Sequence, residues 1–325
     1  MGFTNFPNGA TSFGVPWVAG VPLPFTGNYY WVQQPTGTTT QASPGGSGTL
    51  ESPFTDINTA LAACTANNND VIIFKGTMYI DETIVWNKAQ THLIGVSNPL
   101  MRGKRSRISM ASDATVFTPF ISVTAAGCMF MNIGTFYGFA DNSAQVLWSD
   151  TGGRNGYFGV EFMGFGAALA AAHTGSRDFV LSGDTGECTF DSCVFGVDTV
   201  ARTAANYTLE IAGGSPRNHF NNCVFESYLT GSGSNAAHIL IGAGGIDRYA
   251  RFTNCSFLAS TSSGGSSAMT QAANVNAAPG GLLQMLNCWF TGCTNVETTA
   301  SGDVYMAMTA AAASDSGLTV VNAPA

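Results

Sequence analysis

Large apolar residues recur along the second half of the chain in one short pattern, two positions apart around a cysteine. The segments are Phe190-Asp191-Ser192-Cys193-Val194-Phe195, Phe220-Asn221-Asn222-Cys223-Val224-Phe225, Phe252-Thr253-Asn254-Cys255-Ser256-Phe257 and Met285-Leu286-Asn287-Cys288-Trp289-Phe290. Tyr157, Gly159, Val160 and Phe162 keep the same sizes at the same offsets, with valine in place of cysteine. The cysteines follow one another after 30, 32 and 33 residues. Alternation of apolar and variable positions is strand periodicity. A period of thirty-odd residues signals stacked units. The spacers are rich in Gly, Ser, Thr and Asn, which excludes the paired amphipathic helices of helical repeats.

Strands that return in register at this period lie on their predecessors as parallel sheets. The expected fold is therefore all-β, a right-handed single-stranded parallel β-helix of about seven coils between about Asp70 and Val304. Stacking puts Cys193, Cys223, Cys255 and Cys288 in one interior column and Phe195, Phe225, Phe257 and Phe290 in another, with the thiols serving as packing residues. Asn222, Asn254 and Asn287 precede the cysteines and are expected to form an amide ladder along one edge, with Ser192 as the smaller exception. Ahead of the repeat, Phe54, Ile57, Leu61 and Cys64 share a helical face, which predicts one short N-terminal capping helix. After the turn-forming Asn67-Asn68-Asn69-Asp70 come the strands Val71-Ile72-Ile73-Phe74 and Thr77-Met78-Tyr79-Ile80. Pro7, Pro16, Pro22 and Pro24 forbid a long helix at the start. Residues 1–50 are read as an extended anchoring arm and linker, 51–305 as the β-helix, and 306–325 as a closing strand or tail.

Composition narrows the function classes. The 325 residues carry a formal charge of −8, only 10% are charged, and 45% are hydrophobic. These values exclude a disordered acidic tail, a coiled coil and a basic nucleic-acid-binding chain. A surface built from small neutral polar residues suits coverage by partners, and a homotrimer is expected. Alternation points Trp289 outward, which makes it the candidate trimer contact. There is no secretory signal and no apolar run near the roughly 18 residues of a membrane span. Neither membrane nor nucleic acid is expected as a partner. The eight cysteines lack Cys-x-x-Cys pairs, and the four histidines lie at no zinc-finger spacing from them, so neither metal nor other cofactor is expected.

The order of short helix, Asn/Asp turn, apolar strand and Gly76-Thr77-Met78-Tyr79 resembles the N-terminal cap and first coil of pectate-lyase-like β-helix proteins. His92-Leu93-Ile94-Gly95-Val96 is similar to that superfamily's next strand. The superfamily includes tailspikes, polygalacturonases and phage head proteins, and the resemblance covers roughly residues 50 to 300. The opening Met1-Gly2-Phe3-Thr4-Asn5-Phe6-Pro7-Asn8 looks like the start of structural proteins of tailed bacteriophages. These resemblances imply a trimeric capsid decoration (cement) protein on the virion exterior. It would be synthesised in the host cytoplasm, would partner the major capsid protein, and would have no enzymatic activity. A tailspike-type protein binding a host surface glycan and a polysaccharide lyase or hydrolase are the alternatives.

Candidate docking residues for the shell are the basic cluster Arg102, Lys104, Arg105 and Arg107, read as an exposed loop, and the arm's Phe3, Phe6, Phe13 and Trp17. Guanidinium groups suit an acidic partner surface. Catalysis in this fold needs grouped carboxylates. Here the only candidate cluster is Asp184, Glu187 and Asp191, with Glu161 from the coil before. Solvation of an exposed face accounts for those charges equally well.

Overall fold

The computed structural model describes residues 27–297, apart from 99, 113–115, 184, 231–235, 262–268 and 276–279, together with the backbone of 10–12, 15–18, 21–22 and 304–307. Three parallel sheets of ten, nine and seven strands wrap a single interior, and the seven-stranded sheet takes one strand from each full coil. The chain thus folds as the right-handed parallel β-helix expected from its repeat. The ten-stranded sheet runs from Tyr29–Gln33 through Asp70–Lys75, Thr91–Gly95, Met129–Met131, Gly156–Phe158, Thr189–Asp191, Asn218–Asn221, Arg248–Thr253 and Gly281–Leu286 to Val304–Ala307.

The interior is made of stacked rings. On the long sheet Tyr157, Phe190, Phe220 and Phe252 stack almost parallel, with centroids 4.5, 4.5 and 4.4 Å apart. On the nine-stranded sheet Phe195, Phe225, Phe257 and Phe290 stack at 4.6, 4.8 and 4.8 Å. The spacing is that of paired strands, so each ring covers the one beneath it. The corner between these two sheets explains the Asn-Cys pairs. Asn222, Asn254 and Asn287 have φ of 54°, 54° and 52°, a left-handed conformation that asparagine tolerates better than most residues. Their amides form the expected ladder: Asn287 Nδ2 donates to Asn254 Oδ1 at 2.7 Å, and Asn254 Nδ2 to Asn222 Oδ1 at 3.5 Å. Ser192 takes the same conformation at φ 54°. The next residue turns inward. The thiols of Cys193, Cys223, Cys255 and Cys288 are buried, and each donates to a carbonyl of the coil below: Tyr157, Phe190, Phe220 and Phe252 respectively. These thiols therefore bond between coils as well as filling space.

The helix Ile57–Ala63 covers the N-terminal end of the interior with Ile57, Ala60 and Leu61. Asp56 caps it by accepting the Thr59 N–H at 2.8 Å, and Lys88 Nζ caps its far end on the Ala62 and Cys64 carbonyls at 2.6 and 2.5 Å. The reading of residues 1–50 as an arm needs correction at one point. Tyr29–Gln33 pairs in parallel with Asp70–Lys75 and is the outermost strand of the long sheet. Its Tyr30 and Val32 cover apolar residues of the first coil, which an arm would have left open. Phe3, Phe6 and Phe13 lie outside the described residues, as does the side chain of Trp17.

Candidate functional site

The outward face of the long sheet carries the densest chemistry. Parallel register sets three outward columns side by side. The first, at the strand entrances, runs Arg154, Glu187, Arg217 and Tyr249. The second runs Gly156, Thr189, His219, Arg251 and Gln284. The third runs Phe158, Asp191, Asn221 and Thr253. Successive rows are about 4.8 Å apart, so the grid is on the order of 20 Å long.

Each row is fixed by its neighbours. Glu187 sits between two guanidinium groups: Arg154 Nε donates to it at 2.8 Å, and Arg217 donates from Nε at 2.9 Å and from NH2. These hydrogen bonds hold the Glu187 carboxyl below its ordinary range. His219 Nε2 shares a hydrogen bond of 3.2 Å with the Tyr249 hydroxyl. Burial and then the Arg251 charge push the His219 imidazole below its ordinary value, which favours its neutral form. Arg251 stacks over the Tyr249 ring at 5.2 Å and donates Nε to Gln284 Oε1 at 2.9 Å, and it has no ion pair among the described residues. The missing side chain of Gly156 makes room for the Phe158 ring. A Cβ there would lie 2.6 Å from the Phe158 ring, so that ring leans over the bare backbone beside Asp191. Asp191, half-buried, accepts the Ser192 hydroxyl at 2.7 Å.

The structure divides the carboxylates grouped by the sequence. Asp191 belongs to this face, and Glu187 lies on its edge, held between two arginines. Glu161 belongs to a different sheet: it is 4% exposed on the nine-stranded sheet and accepts the Gly103 and Lys104 N–H groups at 3.0 and 3.3 Å. It does not join Asp191, because the left-handed corner at Ser192 turns the chain from one sheet to the next. Asp184 lies outside the described residues.

The basic cluster also departs from expectation. The loop carrying it lies across the nine-stranded sheet. Arg102 pairs with Glu226 and, at 3.6 Å, with Asp198. Lys104 is 2% exposed, Arg107 is half-buried as the first residue of a strand, and Arg105 is exposed with no ion pair among the described residues. Arg102 is thus paired with carboxylates of this same chain and Lys104 is buried against it, while Arg105 faces outward. Trp289 does point outward, at 66% exposure. Among the described residues no group of three His, Cys, Asp or Glu could hold a metal ion.

His219, Tyr249, Arg251 and Phe158 escaped the sequence reading. The available signal was the position immediately before the first aromatic of each repeat, which alternation aims outward and which reads Gly156, Thr189, His219, Arg251 and Gln284.

No protein family and no curated protein matches the sequence. Solved structures do match in fold. A pectin methylesterase in complex with a hexasaccharide aligns with a TM-score of 0.54 and 13% identity over 90% of this chain and 91% of its own. The pectin methylesterase PemA of Erwinia chrysanthemi aligns at 0.55 and 13% identity over 92% and 94%. The enzyme from Aspergillus niger aligns at 0.52 and 15% identity over 88% and 93%. These findings overturn the expectation of a capsid decoration protein without chemistry: the three solved chains that align nearly end to end are pectin methylesterases. At such identities the likeness establishes the fold, and the chain is a pectin-methylesterase-like parallel β-helix in architecture.

Proposed function

We propose that this protein acts on an acidic polysaccharide laid along the outward face of its long sheet. The observation that carries the reading is Arg251, a guanidinium without a carboxylate partner among the described residues. It is held by Tyr249 and Gln284 in the same face as the carboxylate of Asp191 and the imidazole of His219. A planar guanidinium is suited to a uronate carboxyl or its ester. The Phe158 ring over Gly156 offers an apolar surface to a sugar ring. The length of the grid suits a chain of several sugars. Asp191 is the group for nucleophilic or acid–base work on the bound carboxyl ester, and His219, on the next coil of the same face, is the proton acceptor. The fold neighbours, pectin methylesterases crystallised with hexasaccharides, support the substrate class.

The test is calorimetric binding of pectin, de-esterified pectin and a neutral glucan, combined with an assay for released methanol. Uronate polymers should bind and the glucan should not. Arg251→Ala should weaken binding roughly 10- to 100-fold, the worth of one charge-assisted hydrogen-bonded contact. Asp191→Asn should bind normally and release no methanol. Absence of binding to either uronate polymer would overturn the proposal.

A further inference from the structure

On the outward face of the long sheet, one aromatic ring holds two functional side chains at once. Tyr249 and Arg251 are two positions apart on the strand Arg248–Thr253, so alternation sends both outward, and register sets Arg251 directly beside His219 of the coil before. The Tyr249 hydroxyl shares its 3.2 Å hydrogen bond with His219 Nε2, and the two rings meet edge to face with centroids 5.4 Å apart. The guanidinium carbon of Arg251 lies 5.2 Å from the centre of the same ring, and its Nε is tied to Gln284 Oε1 at 2.9 Å. Imidazole and guanidinium are thus neighbours fixed against a common support.

The charged groups around His219 differ in how they are paired. Arg217, two positions ahead of it, is paired with Glu187. Glu187 and Asp191 flank Thr189, the residue that pairs with His219 from the strand before, and Tyr249 and Arg251 belong to the strand after. After burial, the charge that weakens proton binding at His219 is that of Arg251. Pairing explains why Arg251 acts and Arg217 does not: the partners of Arg251 among the described residues, Tyr249 and Gln284, are neutral. A guanidinium held on an aromatic ring and an amide stays fully charged, and its field reaches the half-buried imidazole beside it. An anion paired with Arg251 would cancel that field.

We infer that Tyr249 is a positioning residue that couples Arg251 to His219, so that a free uronate carboxylate bound at Arg251 makes His219 a better proton acceptor. The inference rests on the reading of this face as a uronate site. On the empty face the imidazole is a weak base beside an unneutralised guanidinium. A bound carboxylate neutralises the guanidinium, and the imidazole regains its affinity for a proton without any movement of the backbone. Tyr249 sets the size of the effect because it holds both groups in place. Linkage makes the effect reciprocal, and the carboxylate binds more tightly when His219 is protonated. One unit charge at this separation in a half-exposed site should move the His219 titration midpoint by about 0.5 to 1.5 pH units, which corresponds to roughly 3- to 30-fold in uronate affinity.

The test is an NMR titration of the histidine ring protons of the full-length chain, with the His219 signal assigned by its loss in His219→Asn. A saturating galacturonate trisaccharide should raise the His219 midpoint by the stated amount. Arg251→Gln, checked for folding by circular dichroism, should raise it by a similar amount without ligand, and the trisaccharide should then add nothing. Placing Arg251→Gln on Tyr249→Leu should shrink its effect by at least half, whereas Tyr249→Phe, which keeps the ring face, should retain it. An unchanged midpoint in folded Arg251→Gln, or trisaccharide binding to the wild type with no change in midpoint, would overturn the inference. An undiminished effect on Tyr249→Leu would remove Tyr249 and overturn it as well. If calorimetry detects no trisaccharide binding while Arg251→Gln still raises the midpoint, the uronate reading fails and the coupling of the two side chains stands.

Discussion

Asp178 should make the protein less stable as pH rises from neutral to mildly alkaline values, and Asp178→Asn should abolish that slope. The carboxyl is fully buried; Oδ1 accepts the Gly164 N–H at 2.7 Å and Oδ2 has no partner. The nearby Arg202, also buried, directs its donors to Asn206, Thr208 and Ser227. Burial therefore outweighs the Arg202 charge and the Gly164 bond, and the carboxyl is pushed up to about 8. A folded-state pKa above the unfolded value of 3.8 means that the native chain keeps a proton the unfolded chain has lost. The stabilising contribution is complete below about 4 and declines through the interval up to 8, at about 1.4 kcal/mol per pH unit. On the acid side His238 acts in the opposite sense. Burial and the Arg202 charge lower it to about 3, and both ring nitrogens lack partners, so its contribution is lost as pH falls from 6.5 towards 3. The two slopes offset each other between about 4 and 6.5, and the Asp178 slope stands alone from about 6.5 to 8. Urea unfolding at pH 6.5 and pH 8 should show the wild type losing about 2 kcal/mol and Asp178→Asn losing almost none. A wild type whose stability is flat or rising over that interval, or a variant that keeps the slope, would refute the reasoning.

Phe220→Ala should destabilise the chain by about 3–5 kcal/mol in equilibrium denaturation, because the ring is stacked on both sides and its loss leaves a void that parallel strands cannot close. A loss below about 1 kcal/mol would show that the ring column is not a packing unit. The expectation of a homotrimer predicts a wild-type mass of three chains in size-exclusion chromatography with light scattering and a smaller species for Trp289→Gln; a monomeric wild type, or an unchanged mass for the variant, would remove Trp289 from any subunit contact.

The sequence alone determined the repeat. The spacing of Cys193, Cys223, Cys255 and Cys288, with phenylalanines two positions on, required strands stacked in register, because only that arrangement buries every ring on its predecessor. The corner asparagines were legible too, since amide stacking and a left-handed backbone both favour that residue. Tertiary structure decided which polar residues meet. Asp191 and Glu161 are 30 residues apart in sequence and belong to successive coils, yet the turn at Ser192 puts them on different sheets. Arg251, His219 and Phe158 come from three coils and share one face only through register, which a single repeat does not reveal. The basic loop is exposed at Arg102 and Arg105, as its local charge density suggests, but that density carries no record of the carboxylates packed against it. Glu161, Asp198 and Glu226 lie 57 or more positions beyond Lys104, and only the stacking of coils brings them against it.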